Sequence, residues 1–152
     1  NFEMHGKIME LLLMRHGSAQ ESRNDFSRRL TAHGIEEVHL AARSISRHEF
    51  VPDILFASPL TRAQQTAEIV ASHLAISVVE CDRIVPSGDC EQVCNFLDGC
   101  EAQKVLLVSH QPFVSLFIQY LTGEQIFMNT ASLSMIQIET SCSGGGALLW
   151  TE

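Results

Sequence analysis

Glu10-Leu11-Leu12-Leu13-Met14-Arg15-His16-Gly17-Ser18 is the stretch on which the reading of this chain turns. Four apolar residues in succession, Leu11 to Met14, fit a strand buried on both faces, as at the centre of a largely parallel sheet. The run then stops at a cation, an imidazole and a glycine. Arg15, His16 and Gly17 therefore fall where the strand meets the loop at its carboxyl end, the place where open α/β sheets bind ligands. A surface turn holding Arg and His gives the same local pattern, so the rest of the chain has to decide.

Two other segments repeat the arrangement. Ile54-Leu55-Phe56-Ala57 is a second short buried strand, followed at once by Ser58-Pro59. Serine is a good N-cap and proline suits the first helical position, so a helix is expected to start here. Leu60, Ala63, Ala67, Val70 and Leu74 supply its core stripe. Arg62 then lies in the first turn, where free backbone N–H groups and a guanidinium together favour an anion. Lys104 to Ser109 is another buried strand, ending in His110-Gln111-Pro112. Proline again opens a helix, here carrying Phe113, Val114, Phe117, Ile118 and Leu121. His110 thus occupies the same kind of strand-to-helix junction as His16.

Between these landmarks the chain alternates in the α/β manner. Ser18 to Leu30 is polar and aperiodic, a loop over the first strand's end. Thr31 is the expected N-cap of a helix running to about His48, with Ile35, Val38, Ala42 and Ile45 facing the core. Glu36 and Glu37 lie in its first turns. His33, His39 and His48 read as solvated or capping side chains. Ala75 to Glu80 predicts a weak strand near an edge, Cys81 to Asp89 a loop, and Glu91 to Leu97 a short helix. Ser132 to Glu139 and Ala147 to Trp150 read as strands joined by a turn over Ser141 to Gly146. The three consecutive glycines there lack the spacing of a phosphate loop. Residues 9–152 are expected to form a single domain, and residues 1–8 an aperiodic extension or an expression remnant preceding Met9.

Composition narrows the function. The 152 residues include 45% hydrophobic and 18% charged side chains, the balance of a globular chain. A net charge of −8, from 10 Lys+Arg against 18 Asp+Glu, argues against a nucleic-acid partner, whose footprint is a basic face. Any anion site must then be a local positive pocket in an acidic envelope. Five cysteines with no Cys-x-x-Cys pair and no secretory signal imply reduced thiols and a cytoplasmic location. Cys90 and Cys94 share a helical spacing, but no His or carboxylate pattern completes a zinc site. The apolar run near the N-terminus is too short for a membrane span.

Arg15, His16, Arg62 and His110 therefore bring two guanidiniums, two imidazoles and two helix N-termini to strand ends. If the strands are neighbours, that pocket suits a phosphoryl group, whose transfer needs a nucleophile and charge complementary to its oxygens. No P-loop, metal-binding carboxylate cluster or serine hydrolase elbow is present, so the chemistry is expected to need no metal or cofactor, with histidine as the covalent carrier.

At this point the residues resemble a known family. Leu13-Met14-Arg15-His16-Gly17 is similar to the Arg-His-Gly signature of the histidine phosphatase (phosphoglycerate mutase-like) superfamily. Ser58-Pro59-Leu60-Thr61-Arg62-Ala63-Gln64-Gln65-Thr66 and Val108-Ser109-His110 match its second and third motifs in order. The short length, Arg29-Leu30-Thr31-Ala32-His33-Gly34 and Pro86-Ser87-Gly88-Asp89 resemble its SixA branch of bacterial phosphohistidine phosphatases. The resemblance runs from about residue 10 to the end. It implies a three-layer α/β/α sandwich with a largely parallel central sheet. His16 would be the phosphorylated nucleophile; Arg15, Arg62 and His110 would bind the phosphoryl oxygens; the backbone N–H of Gln111 would add a donor. Gly17 would let the backbone turn tightly and hold the nucleophilic ring, and Ser58 would be a cap rather than a catalyst. The implied partner is a phosphorylated histidine-containing phosphotransfer protein of a signalling pathway, with phosphate as product.

Leaving-group chemistry bears on the substrate. An alkoxide calls for a general acid, and no motif singles one out among Glu80, Asp82, Asp89 and Glu91. An imidazole protonated at its other nitrogen departs as a neutral molecule, so a phosphohistidine substrate relaxes that need. Two alternatives stay open on the residues: a phosphatase of small phosphate esters or phospho-Ser/Thr proteins, and a non-catalytic phosphoprotein-binding module.

Overall fold

The apolar run at 11–14 lies inside strand β1 (Met9–Arg15), with all four side chains wholly buried. These contacts come from a computed structural model that describes residues 8–140 and 143–152. Residues 1–7 of the expected extension, and Ser141 and Cys142 of the expected turn, lie outside the described residues. Because successive strand side chains point to opposite faces, Leu11 and Leu13 enter one core and Leu12 and Met14 another. Each wholly buried leucine contributes about 1.5–3 kcal/mol relative to an exposed one, so β1 ties both halves of the molecule together.

Helices α1 (Ala32–Arg47) and α2 (Thr61–Leu74) cover one face of the sheet, and α3 (Cys90–Asp98) and α4 (Phe113–Thr122) the other. The sheet order is β3-β2-β4-β1-β5-β6, with β2 at Ile54–Ala57, β3 at Val78–Glu80 and β4 at Lys104–Ser109. The first four of these are mutually parallel. Strand β5 (Leu133–Ile138) runs antiparallel to β1 and to its hairpin partner β6 (Gly146–Thr151). The expected three-layer α/β/α architecture is therefore what the chain adopts.

Local signals held at several ends. Thr31 caps α1, its hydroxyl accepting from Gly34 N–H at 2.9 Å, and Asp89 caps α3 through Gln92 N–H. His48 ends α1, stacks on Trp150 at 3.8 Å and bonds Glu152, as a capping histidine should. Strand β3 is an edge strand but begins only at Val78, because Ala75 takes a left-handed conformation to end α2. No disulfide joins cysteines among the described residues.

Three expectations need correction. Ile35 is 40% exposed, because α1 turns Gly34 rather than Ile35 onto the strand-end loop; Val38, Ala42 and Ile45 are buried as expected. Helix α2 starts at Thr61 with Leu60 as its N-cap, two residues later than Ser58-Pro59 suggests, because the Ser58 hydroxyl engages His110. Pro112 likewise caps α4 instead of occupying its first turn.

Candidate active site

Strands β2, β4 and β1 are adjacent and parallel, so their carboxyl ends lie at one edge of the sheet. Pairing continues one residue past the strands: His16 N–H donates to Ser109 C=O at 3.1 Å, and Ser58 N–H to Val108 C=O at 3.1 Å. Register thus brings His16, His110 and Ser58 to the same level, and α2 carries Arg62 there from its first turn.

His16 is 7% exposed. Its Nδ1 lies 2.7 Å from Gly17 C=O. A carbonyl only accepts, so Nδ1 bears the proton and Nε2 a lone pair. Arg62 Nε donates to that Nε2 at 3.3 Å, which agrees with the assignment. Burial pushes the His16 pKa down to about 4 against the Gly17 hydrogen bond, and the Arg62 and Arg15 charges push the same way as burial. Near neutral pH the ring is uncharged and presents an unprotonated nitrogen to Arg62.

His110, 1% exposed, faces it with ring centroids 4.9 Å apart at 57°. Burial above all, with His16, Arg62 and Arg15 adding to it, pushes its pKa down to about 2. Its Nε2 lies 2.7 Å from Ser58 Oγ, while its buried Nδ1 has no hydrogen-bond partner among the described residues.

Arg62, itself 4% exposed, donates from Nη1 to Asp25 C=O at 2.8 Å and from Nη2 to the Asp25 carboxylate at 3.3 Å. Leu60 caps α2 without a side-chain hydrogen bond, so the positive helix end is not neutralised there. Arg15 Nη1 is anchored on Met128 C=O at 3.0 Å, its guanidinium 5.9 Å from the Phe127 ring centroid, and its buried Nε has no partner among the described residues. Gln111 Nε2 donates to the same Met128 carbonyl at 3.0 Å and to Ser115 at 2.7 Å. The Gln111 side chain therefore braces the loop that holds Arg15, beside the backbone role expected of it.

The four site side chains expected from sequence thus meet in one pocket. Other contributors escaped notice. Asp25, in a short 3-10 turn (Asp25–Ser27), fixes Arg62 and is itself held by Arg28 at 3.2 Å. Thr66 Oγ1 accepts from Gly17 N–H at 3.1 Å and donates to Arg62 C=O at 2.8 Å, tying the strand-end loop to α2. Thr66 closes the second motif, a visible signal; Asp25 sits in an aperiodic loop that gives none. Glu37 accepts from Ser18 N–H and hydroxyl and from Thr130, joining the loops on either side of His16. Those bonds hold its carboxyl below the usual range against the effect of burial.

Gly17 holds the His16 ring through its C=O, one half of the role expected of it, but the other half, a tight turn, is not what calls for glycine. Its backbone does not take the left-handed conformation; an added Cβ would instead meet Gly34 C=O and Val38 Cγ2 at 2.8 Å. Closeness to α1, not a turn, requires glycine. Glu80, Asp82, Asp89 and Glu91 are all exposed, and Asp89 is used as the α3 cap. Among the described residues no group of three or more His, Cys, Asp or Glu side chains is placed to hold a metal ion.

A buried and a half-buried guanidinium, an imidazole nitrogen unpaired among the described residues and a neutral imidazole whose unprotonated nitrogen meets Arg62 make a receptor for a tetrahedral oxyanion beside a nucleophile. The fold and the pocket are those of a phosphatase of the histidine phosphatase superfamily (branch 1), to which this chain belongs; the family's sequence profile matches residues 11–86. Among individual proteins, the phosphohistidine phosphatase SixA of Escherichia coli (strain K12) is 30% identical over 149 residues, covering 93% of this chain and 92% of that protein. A structure of the protein histidine phosphatase SixA complexed with tungstate superposes with a TM-score of 0.86 at 29% identity, covering 94% of this chain and 96% of that one. A phosphoserine phosphatase mutant of Entamoeba histolytica in complex with phosphoserine shares the fold, with a TM-score of 0.74 at 15% identity over 94% and 96% of the two chains.

Proposed function

We propose that this protein is a phosphohistidine phosphatase that removes phosphate from a histidine-containing phosphotransfer protein through a covalent phosphohistidine on His16. The observation that carries the reading is the state of His16: Nδ1–H held by Gly17 C=O, Nε2 unprotonated, buried and accepting from Arg62 Nε. Nε2 attacks phosphorus in line as the substrate's P–N bond breaks. The departing imidazole takes its electron pair and leaves neutral, its other nitrogen being protonated. Arg15, Arg62 and His110 hold the equatorial oxygens, with the backbone N–H of Gln111 as a further donor, and stabilise the charge that builds on them. Water then attacks phospho-His16, breaking the new P–N bond and releasing phosphate. His16 recovers its lone pair.

Two points support a nitrogen leaving group. Among the described residues no hydrogen bond aims the exposed carboxylates of Glu80, Asp82, Asp89 and Glu91 at the pocket, and transfer from one histidine to another is close to isoenergetic. The relative solved with tungstate, a tetrahedral oxyanion, agrees with the pocket's charge.

Rapid quench with labelled phosphohistidine protein tests the reading. Label is expected on His16, and His16→Ala is expected to abolish both the label and turnover. Absence of a phosphoenzyme, or faster kcat/KM on an aryl phosphate that collapses when one of Glu80, Asp82, Asp89 or Glu91 is removed, refutes it.

A further inference from the structure

Ser58 is wholly buried, and its hydroxyl oxygen lies 2.7 Å from His110 Nε2. A hydroxyl donates or accepts, so this contact suits either neutral tautomer of His110. The two tautomers offer opposite surfaces to a phosphoryl group. With the proton on Nε2, the unpaired Nδ1 presents a lone pair and repels phosphoryl oxygens. With Ser58 donating to Nε2, the proton sits on Nδ1, and the nitrogen without a partner among the described residues becomes a donor.

A second contact selects between them. Leu60 N–H donates to Ser58 Oγ at 3.3 Å, occupying a lone pair on one side of the oxygen. An N–H cannot accept, so among the described residues His110 Nε2 is the acceptor left for the proton of this wholly buried hydroxyl, and Ser58 donates to it. Backbone at the α2 entrance holds the serine in this role.

We propose that Ser58 is a positioning residue that locks His110 as its Nδ1–H tautomer and so makes it a hydrogen-bond donor to the transferring phosphoryl group. This rests on the reading that the pocket binds that group. The two histidines then complement each other. Gly17 C=O accepts from His16 Nδ1–H and leaves a lone pair pointing inward; Ser58 donates to His110 Nε2 and leaves a proton pointing inward. One residue type supplies both the nucleophile and a donor because different partners hold the two rings. His110 stays neutral through burial beside His16, Arg62 and Arg15, so its tautomer rather than its charge decides what it offers.

Ring-nitrogen NMR on the full chain labelled with ¹⁵N-histidine tests this without a variant. His110 is expected to show a pyrrole-type Nδ1 and a pyridine-type Nε2, with the Nδ1 signal shifting on addition of inorganic phosphate. In Ser58→Ala the tautomer is expected to become mixed, and kcat to fall on the order of 10–100-fold with little change in KM, short of the 10²–10³ for removing an oxyanion donor outright. Ser58→Cys, a weaker donor of similar shape, should fall between. A wild-type His110 protonated on Nε2, or a Ser58→Ala protein with unchanged tautomer or kcat, overturns the proposal. An Nδ1 signal unmoved by phosphate overturns it even where His16 is phosphorylated. Conversely, a phosphate-dependent Nδ1 shift in a protein that forms no phosphoenzyme upholds the tautomer lock and overturns the catalytic reading.

Discussion

Gly34→Ala is a single methyl group that should disturb both stability and catalysis, although residue 34 touches no ligand. A Cβ at Gly34 would overlap Ser18 C=O and stand 2.9 Å from Ser18 N and 3.0 Å from Ser18 C. All three are backbone atoms, so no side chain can rotate away. To restore ordinary contact, α1 and the strand-end loop must separate by about 1 Å. That movement weakens the Thr31 N–H to Ser18 C=O bond, now 2.9 Å, and the Ser18 N–H to Glu37 bond, also 2.9 Å. Overpacking costs about 1–3 kcal/mol, and a backbone hydrogen bond about 1 kcal/mol net. Alanine offsets part of this, since it exceeds glycine in helix propensity by about 1 kcal/mol in an interior and by less in a first turn. The clash wins, with an expected loss of about 2 kcal/mol in urea unfolding. Ser18 is two residues from His16, and a displacement of about 1 Å at a nucleophile costs on the order of 10²-fold in rate. Chemical denaturation and single-turnover kinetics on phosphohistidine protein read the two effects. A Gly34→Ala protein with wild-type stability and turnover would refute the argument from close approach.

Two further outcomes follow from the pocket. Arg62→Lys retains a cation but not a fork able to serve His16, the Asp25 carbonyl and the Asp25 carboxylate together; kcat should fall on the order of 10²–10³-fold, and steady-state kinetics within a few-fold of wild type would contradict this. His16 should titrate by NMR with a midpoint near 4 rather than 6.5. Above pH 6.5 both folded and unfolded chains carry it neutral; as pH falls from 6.5 toward 4 the unfolded chain binds the proton first. Stability should therefore decline across that window, by on the order of 3 kcal/mol from His16 alone, and a flat urea midpoint between pH 7 and 4.5 would refute the assignment.

What the sequence by itself determined is local. Four apolar residues at 11–14 require a strand with two buried faces, and a β1 lined on both sides meets that requirement. Thr31 and Asp89 cap helices because their side chains reach an N–H three residues on, a range that lies within the sequence window. The chemistry was legible too, since Arg15, His16, Arg62 and His110 each follow or abut a strand whose end can be read from composition. Tertiary structure decided the rest. Only parallel pairing of β1 with β4 and of β4 with β2 makes four dispersed side chains one pocket, because register fixes which strand ends are level. Ser58 reads as a cap until β4 places His110 beside it, and the helix start then moves to Thr61. Gly17 reads as a turn until α1 is seen to lie against it. Asp25 carries no periodicity and no motif, and gains its role only because the loop after β1 folds back onto α2. Short-range hydrogen bonds and hydrophobic period are written along the chain; contacts beyond that range, from Gly17 against Gly34 to Ser58 against His110, exist only once the elements have packed.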